Sequence, residues 1–220
     1  MNDPKGYAIA IDGPVGVGKS TIAKILAQEL NITYIDTGAM YRAVAYYSLM
    51  ADISPEDITQ HLDKINIQLT YQNGEQHVLL NGQDISQGIR TQAVANITSI
   101  IAAHEAVRLK LVAQQQAMAK TTAVVMDGRD IASKVLPWAQ VKIYLDAAPE
   151  VRAKRRQLDL EAKGQPAVFE TILEETKTRD HRDKTREISP LIQVPDAHYI
   201  DTGHMTLAEV VAKIKSLCTI

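Results

Sequence analysis

Ala8-Ile9-Ala10-Ile11-Asp12-Gly13-Pro14-Val15-Gly16-Val17-Gly18-Lys19-Ser20-Thr21 is the stretch on which the fold turns. Its apolar start has the pattern of a short buried strand, and a glycine-rich turn follows. Ile22, Ile25, Leu26 and Leu30 then recur at helical spacing. Gly13, Gly18, Lys19 and Ser20 fill the pattern G-x-x-x-x-G-K-[ST] in the strand-then-helix setting that gives the pattern meaning. Glycines let the backbone curl with its N–H groups facing an anion, and the helix adds its unpaired first-turn donors and positive dipole end. Lys19 would reach the β and γ oxygens of a nucleoside triphosphate, and the Ser20 hydroxyl would ligate Mg²⁺. A purely structural glycine turn is the alternative, and the flanking strand and helix weigh against it.

Outward from this stretch, strand and helix patterns alternate. Thr33–Asp36 reads as a second strand, followed by a helix carrying Met40, Tyr41, Val44, Tyr47 and Leu49. Ser54-Pro55-Glu56 is a helix start, with serine as cap and proline in the first turn. Alternation then replaces helical spacing: Ile65, Ile67, Leu69 and Tyr71 form one strand and Val78 and Leu80 another, joined at Gln72-Asn73-Gly74. An antiparallel hairpin in a β-then-α chain marks an insertion, placed at residues 50–95. Helices are expected over 89–102 and 105–120, and core strands over 122–127, 141–146 and 198–201. Helices over 149–162 and 169–186 flank the breaker cluster Lys163-Gly164-Gln165-Pro166, and a last helix starts at Leu207. Strands alternating with helices imply a parallel sheet covered on both faces.

The 220 residues suffice for one α/β core with insertions. A net charge of −2 argues against a general nucleic-acid binder. The single cysteine, Cys218, rules out an internal disulfide framework and suits a reducing compartment. Met1-Asn2-Asp3-Pro4-Lys5 runs into the first strand without a signal-peptide pattern, and no apolar run approaches bilayer length. A cytoplasmic protein, with no membrane or nucleic-acid partner and acting as a monomer, is expected.

Open parallel sheets bind ligands at the carboxyl ends of their strands. Polar groups occur there: Asp12 with the phosphate loop, Asp36-Thr37-Gly38 with Arg42, and Asp127-Gly128-Arg129-Asp130. The last is the second signal, because ionic groups after a buried strand need partners or a ligand. Arg152, Arg155 and Arg156 share one helix face, as do Arg179, Asp183 and Arg186. With the Gly/Pro breaker between them, these helices suit a lid closing over phosphates. The six histidines show no metal-ligand spacing. Neither N-K-x-D nor D-x-x-G follows the loop as a regulatory GTPase requires, and dispersed arginines suit a second, acceptor phosphate. A small-molecule kinase and a nucleotide-binding regulator without an acceptor both remain open on these grounds.

I-D-G-P-x-G-x-G-K-S-T at 11–21, I-D-T-G-A-M-Y-R at 35–42, I-R-T-Q-x-V-A-N at 89–96, D-G-R-D-I at 127–131 and R-D-x-x-D-x-x-R at 179–186 together resemble the bacterial cytidylate kinases, a nucleoside monophosphate kinase family. The resemblance implies an α/β P-loop kinase core of five parallel strands flanked by helices (1–49, 96–150 and 187–220). It also implies an inserted monophosphate-binding domain with a small antiparallel sheet (50–95), and a short helical lid with its following helix (151–186). It implies transfer of the γ-phosphoryl group of ATP to CMP or dCMP, with Mg²⁺. Gly13 to Thr21 would hold ATP, with Ser20 on the metal. Lys19, Arg129, Arg152 and Arg156 would neutralise charge during transfer. Thr37, Ser99, Arg108, Asp130 and Arg186 would surround cytosine; Arg42 and Arg129 would hold the acceptor phosphate; Arg179 and Asp183 would read the sugar; Asp127 would be a further carboxylate of the monophosphate site. Three departures stand out: Gln115-Gln116 where Gln-Arg is usual, Ala132-Ser133 where Gly-Thr is common, and Lys184 for a frequent serine.

Overall fold

The computed structural model describes residues 6–72 and 75–219. They fall into two compact units: the residues up to Tyr34 together with those from Ala119 onward, and Ile35–Met118. In chain order the elements are β1 (Ala8–Asp12), α1 (Lys19–Leu30), β2 (Thr33–Asp36), α2 (Thr37–Met50), β3 (Ile67–Gln72), β4 (Glu75–Leu80), β5 (Gln83–Asp84), α3 (Gln92–Ile101) and α4 (Glu105–Thr121). They continue with β6 (Val124–Gly128), β7 (Val141–Asp146), α5 (Pro149–Glu161), α6 (Phe169–Thr185), β8 (His198–Asp201) and α7 (Leu207–Lys215).

The first unit is built on a five-stranded sheet of order β2-β6-β1-β7-β8. Parallel register aligns Asp12 with Gly128, and Asp146 with Asp201, so the carboxyl ends of these strands share one rim. The strands are continuous apolar runs because both faces are covered. Ile9, Ile11, Val125, Ile143, Leu145 and Ile200 form one core with Ile22 and Leu26 of α1 and Val210 and Ile214 of α7. Asn31, in the left-handed conformation, ends α1 and turns the chain toward β2. Thr206 and Glu209 form a reciprocal cap that starts α7.

In the second unit, β3, β4 and β5 form the small antiparallel sheet. Val78, Leu80, Ile67 and Ile65 pack with Met40, Val44, Ile89, Ile101, Val107 and Leu111. The turn expected at 72–74 falls partly on Asn73 and Gly74, which lie outside the described residues. The segment from Ser54 does begin on a serine cap with Pro55 in its first turn, but Pro55–Lys64 winds as a 3-10 helix. The helix expected over 89–102 is divided. Thr91 is extended and its hydroxyl caps Val94 N–H, so a short turn at Gly88–Arg90 precedes α3. The strand expected from residue 122 begins at Val124 and runs on to Gly128.

Candidate active site

The phosphate loop is shaped by a contact that only glycine allows. A Cβ on Gly13 would lie 2.1 Å from the Leu145 carbonyl oxygen of β7, and Gly13 has φ +149°. Past the loop, Lys19 is buried and its Nζ donates to the carbonyls of Gly13 and Pro14 at 2.8 and 2.6 Å. Burial pushes the Lys19 ammonium well below its ordinary pKa and the Arg129 guanidinium adds to this, while Asp127, Asp12 and Asp183 pull the other way. An arriving polyanion would relieve that strain on the charge.

The Ser20 hydroxyl donates to Asp127 Oδ2 at 2.9 Å, and the Tyr34 hydroxyl donates to Oδ1 at 2.9 Å. This pairing of serine hydroxyl and carboxylate is the oxygen donor set that Mg²⁺ takes when nucleotide phosphates and water complete its shell. Among the described residues no group of three or more His, Cys, Asp or Glu could hold a metal, so an all-protein cage is not offered.

Asp12, at the end of β1, is buried, and its two carboxylate oxygens accept from the N–H groups of Ile131 and Ala132, each at 2.8 Å. Burial raises its pKa to about 7 against the lowering effect of those two donors. The turn it holds, a single π-helical turn at Ile131–Val135, follows directly on Arg129 and Asp130. Arg129 Nε donates to Asp183 Oδ2 of α6 at 2.7 Å. Burial alone would raise the Asp183 carboxyl, but the guanidiniums of Arg129, Arg179 and Arg186 together hold it below its ordinary value. Arg129 is thus paired with a carboxylate whose charge Arg179 and Arg186 also favour, in the unit that carries Lys19. Asp130, also buried, follows Arg129 in sequence.

Arg152, on α5, is buried against Asp180 of α6 and the carbonyls of Ala147 and Val15. Arg156 is exposed, and among the described residues it makes no hydrogen bond or ion pair. Arg155 instead reaches Thr202, just after β8, and the Thr202 hydroxyl bonds the Val17 carbonyl of the loop at 3.4 Å. Lys163-Gly164-Gln165-Pro166, between α5 and α6, is exposed throughout.

The second unit holds Thr37, Arg42, Ser99 and Arg108. Asp36 organises the first two. Its Oδ1 caps α2 at Ala39 N–H, its Oδ2 accepts from Arg42 Nη2 at 2.7 Å, and its own N–H donates to Gln76 of β4 at 2.9 Å. Thr37 begins α2 and is buried. Arg42 Nε is buried without an acceptor, an orphaned donor on a partly exposed guanidinium. Arg108 is buried on α4, donates to the Ala102 carbonyl at 3.0 Å, and stacks over Tyr41 with 5.3 Å to the ring centroid. Ser99 is half-buried on α3. Gln115 is fully buried; its Nε2 meets Met40 Sδ at 3.6 Å and its Oε1 has no partner.

Sequence reasoning marked Asp36 as a polar group after β2 beside Arg42, but not Asp180, which holds Arg152, nor Thr202, which joins Arg155 to the loop. Thr202 sits just after the end of β8, where the strand-end rule that marked Asp36 and the other candidates applies as well. Asp180 stands three residues before Asp183 on one helix face, which is the signal that would have found it.

The cytidylate kinase family model matches residues 9–219. A cytidylate kinase of Bacillus cereus (strain B4264) is 47% identical over 216 residues, covering 97% of this chain and 96% of that one. A cytidylate kinase of Bacillus thuringiensis (strain Al Hakam) is 46% identical over the same coverage, 97% and 96%. Among solved structures, a gluconokinase from Sinorhizobium meliloti 1021 aligns with TM-score 0.48 and 15% identity, covering 97% of this chain and 92% of that one.

Proposed function

The chain belongs to the cytidylate kinase family, and from that premise we propose that it transfers the γ-phosphoryl group of ATP to CMP or dCMP, giving ADP and CDP or dCDP. The observation that carries the reading is the Arg129–Asp183 ion pair at 2.7 Å in the unit that holds Lys19, with the charges of Arg179 and Arg186 also favouring the Asp183 carboxylate. Three cations acting on one carboxylate leave positive charge for an anion beyond the triphosphate. The orphaned Nε of Arg42 supports the same reading, since a phosphate oxygen would satisfy it.

Roles follow residue by residue. Gly13, Pro14, Val15, Gly16, Val17, Gly18, Lys19, Ser20 and Thr21 bind ATP. Ser20 would hold Mg²⁺, which when bound supplies charge neutralisation on the phosphates; Asp127, expected as a carboxylate of the monophosphate site, is hydrogen-bonded to Ser20, which supports placing it beside the metal as well. Arg129 takes the acceptor phosphate, and Arg42 is assigned to the same group. Arg179 and Asp183 read the sugar. Thr37, Ser99, Arg108, Asp130 and Arg186 surround the base, with Asp130 accepting from the exocyclic amine of cytosine. Lys19, Arg129, Arg152 and Arg156 are the cations of the transfer step. In this reading residues 50–95 are the monophosphate-binding insert and 151–186 the lid and its following helix. Segments 1–49, 96–150 and 187–220 form the core.

A nucleoside monophosphate is largely doubly ionised at neutral pH, its second pKa being about 6, so its attacking oxygen needs no general base. The protein has only to align two anions that repel each other and to match the charge on the equatorial oxygens. Lid closure excludes the water that would otherwise hydrolyse ATP. No helix among the described residues is long and apolar enough to cross a membrane. The reading is of a monomer acting in the cytoplasm on free nucleotides.

An ADP-release assay with ATP and, in turn, CMP, dCMP, UMP, AMP and shikimate tests this. Rapid release with the two cytidine nucleotides and slow release with the others is expected. Equal, slow release with every acceptor would overturn the proposal in favour of a nucleotide-binding regulator.

A further inference from the structure

The helix α6 carries two buried carboxylates, one turn apart, and each holds an arginine. Asp183 takes Arg129, assigned above to the acceptor phosphate. Asp180 takes Arg152 as a fork, Nη1 to Oδ1 at 3.0 Å and Nη2 to Oδ2 at 2.5 Å, with side chains only 3% and 11% exposed. The same Arg152 donates from Nε to the Ala147 carbonyl at 2.8 Å and from Nη1 to the Val15 carbonyl at 3.1 Å. A guanidinium has five N–H donors, so four such bonds fix its plane and leave one free. Val15 lies within the phosphate loop, so the fork ends on the cradle that binds ATP.

A buried ion pair is not needed for stability, because apolar residues of similar volume serve as well or better. Its value must therefore lie in where it puts the guanidinium. We propose that Asp180 is a positioning residue for the ATP side of the reaction: it sets Arg152 against the Val15 carbonyl and so fixes the loop that receives the triphosphate. Through Asp180 and Asp183, a single turn of α6 then governs one arginine for each substrate. The inference rests on the kinase reading above.

The full chain is compared with Asp180→Asn, Arg152→Lys, the double variant and Asp180→Glu, measuring KM for ATP and for CMP separately along with Tm. Asp180→Asn is expected to raise KM for ATP roughly tenfold, since small misplacements at a binding site are costly, and to change KM for CMP less than about twofold. The double variant should bind ATP no more weakly than Arg152→Lys alone, because Asp180 acts only through that side chain. Asp180→Glu keeps the counter-charge while displacing the fork, and should also raise KM for ATP selectively; it decides the matter if Asp180→Asn does not fold. A fall in Tm with both KM values unchanged, a parallel rise in both, or additive losses in the double variant would overturn the inference. Failure of the unmodified protein to phosphorylate CMP would instead overturn the kinase reading.

Discussion

Gly13→Ala puts the phosphate loop under a defined strain. The added Cβ would stand 2.1 Å from Leu145 O, whereas ordinary contact begins at 3.4 Å. Leu145 is fixed in β7, paired with Ile200 of β8, so the loop has to yield. It must move by about 1 Å, and it carries with it the Gly13 carbonyl on which Lys19 rests. Overpacking of this kind costs about 2 kcal/mol, which lowers Tm by roughly 6 °C in a chain of this size. A displacement of that size at a reacting centre costs roughly a hundredfold in kcat/KM. Gly82→Ala is the control: φ there is +85° but nothing lies within 4 Å of the added Cβ. It should lose about 1 kcal/mol of stability and no activity. Thermal unfolding and a coupled ADP assay read both effects. Wild-type Tm and kcat/KM in Gly13→Ala would refute the close-approach argument.

Lys19→Ala should reduce phosphoryl transfer to near background while leaving CMP binding, read by titration calorimetry, nearly intact. Arg42→Lys keeps the charge but loses the Nε donor and the planar guanidinium that bonds Asp36 Oδ2, so KM for CMP should rise about tenfold or more with KM for ATP little changed, as steady-state kinetics would show. Asp183 is held below its ordinary value of 3.8 by its arginines, so its contribution to stability is present above that value and is lost as pH falls through the lowered native one. The gap in Tm between the unmodified protein and Asp183→Asn should therefore be constant at neutral pH and shrink steadily below about pH 4; a gap independent of pH would show that the charge plays no part.

The order of core elements was legible because strand and helix periodicities are strong where one side of each element is buried. Val141–Asp146 and His198–Asp201 fall where the alternation of apolar runs and breakers places them. Boundaries set by a single side chain were harder. The divided segment before α3 depends on the Thr91 hydroxyl reaching Val94, a choice that helical periodicity does not record. The third strand of the small sheet, Gln83–Asp84, is only two residues long and has no pattern of its own; it exists because Leu79 and Leu80 find partners there. For the site, motif spacing named the charged residues at the strand ends. It could not name which carboxylate would hold which arginine, since Asp183 meets Arg129 across 54 positions of sequence. Nor does spacing reveal that Asp12, read simply as a strand-end acid, braces the turn after Asp130 with both of its oxygens.

In the proposed reaction loop amides and Lys19 grip one anion while arginines grip a second, which receives the phosphoryl group. Following ATP labelled in its γ-phosphoryl group, in the presence of CMP, tests it most directly. The expected result is label in the β-phosphate of CDP with little free phosphate. Label recovered only as inorganic phosphate, at a rate unaffected by CMP, would contradict it.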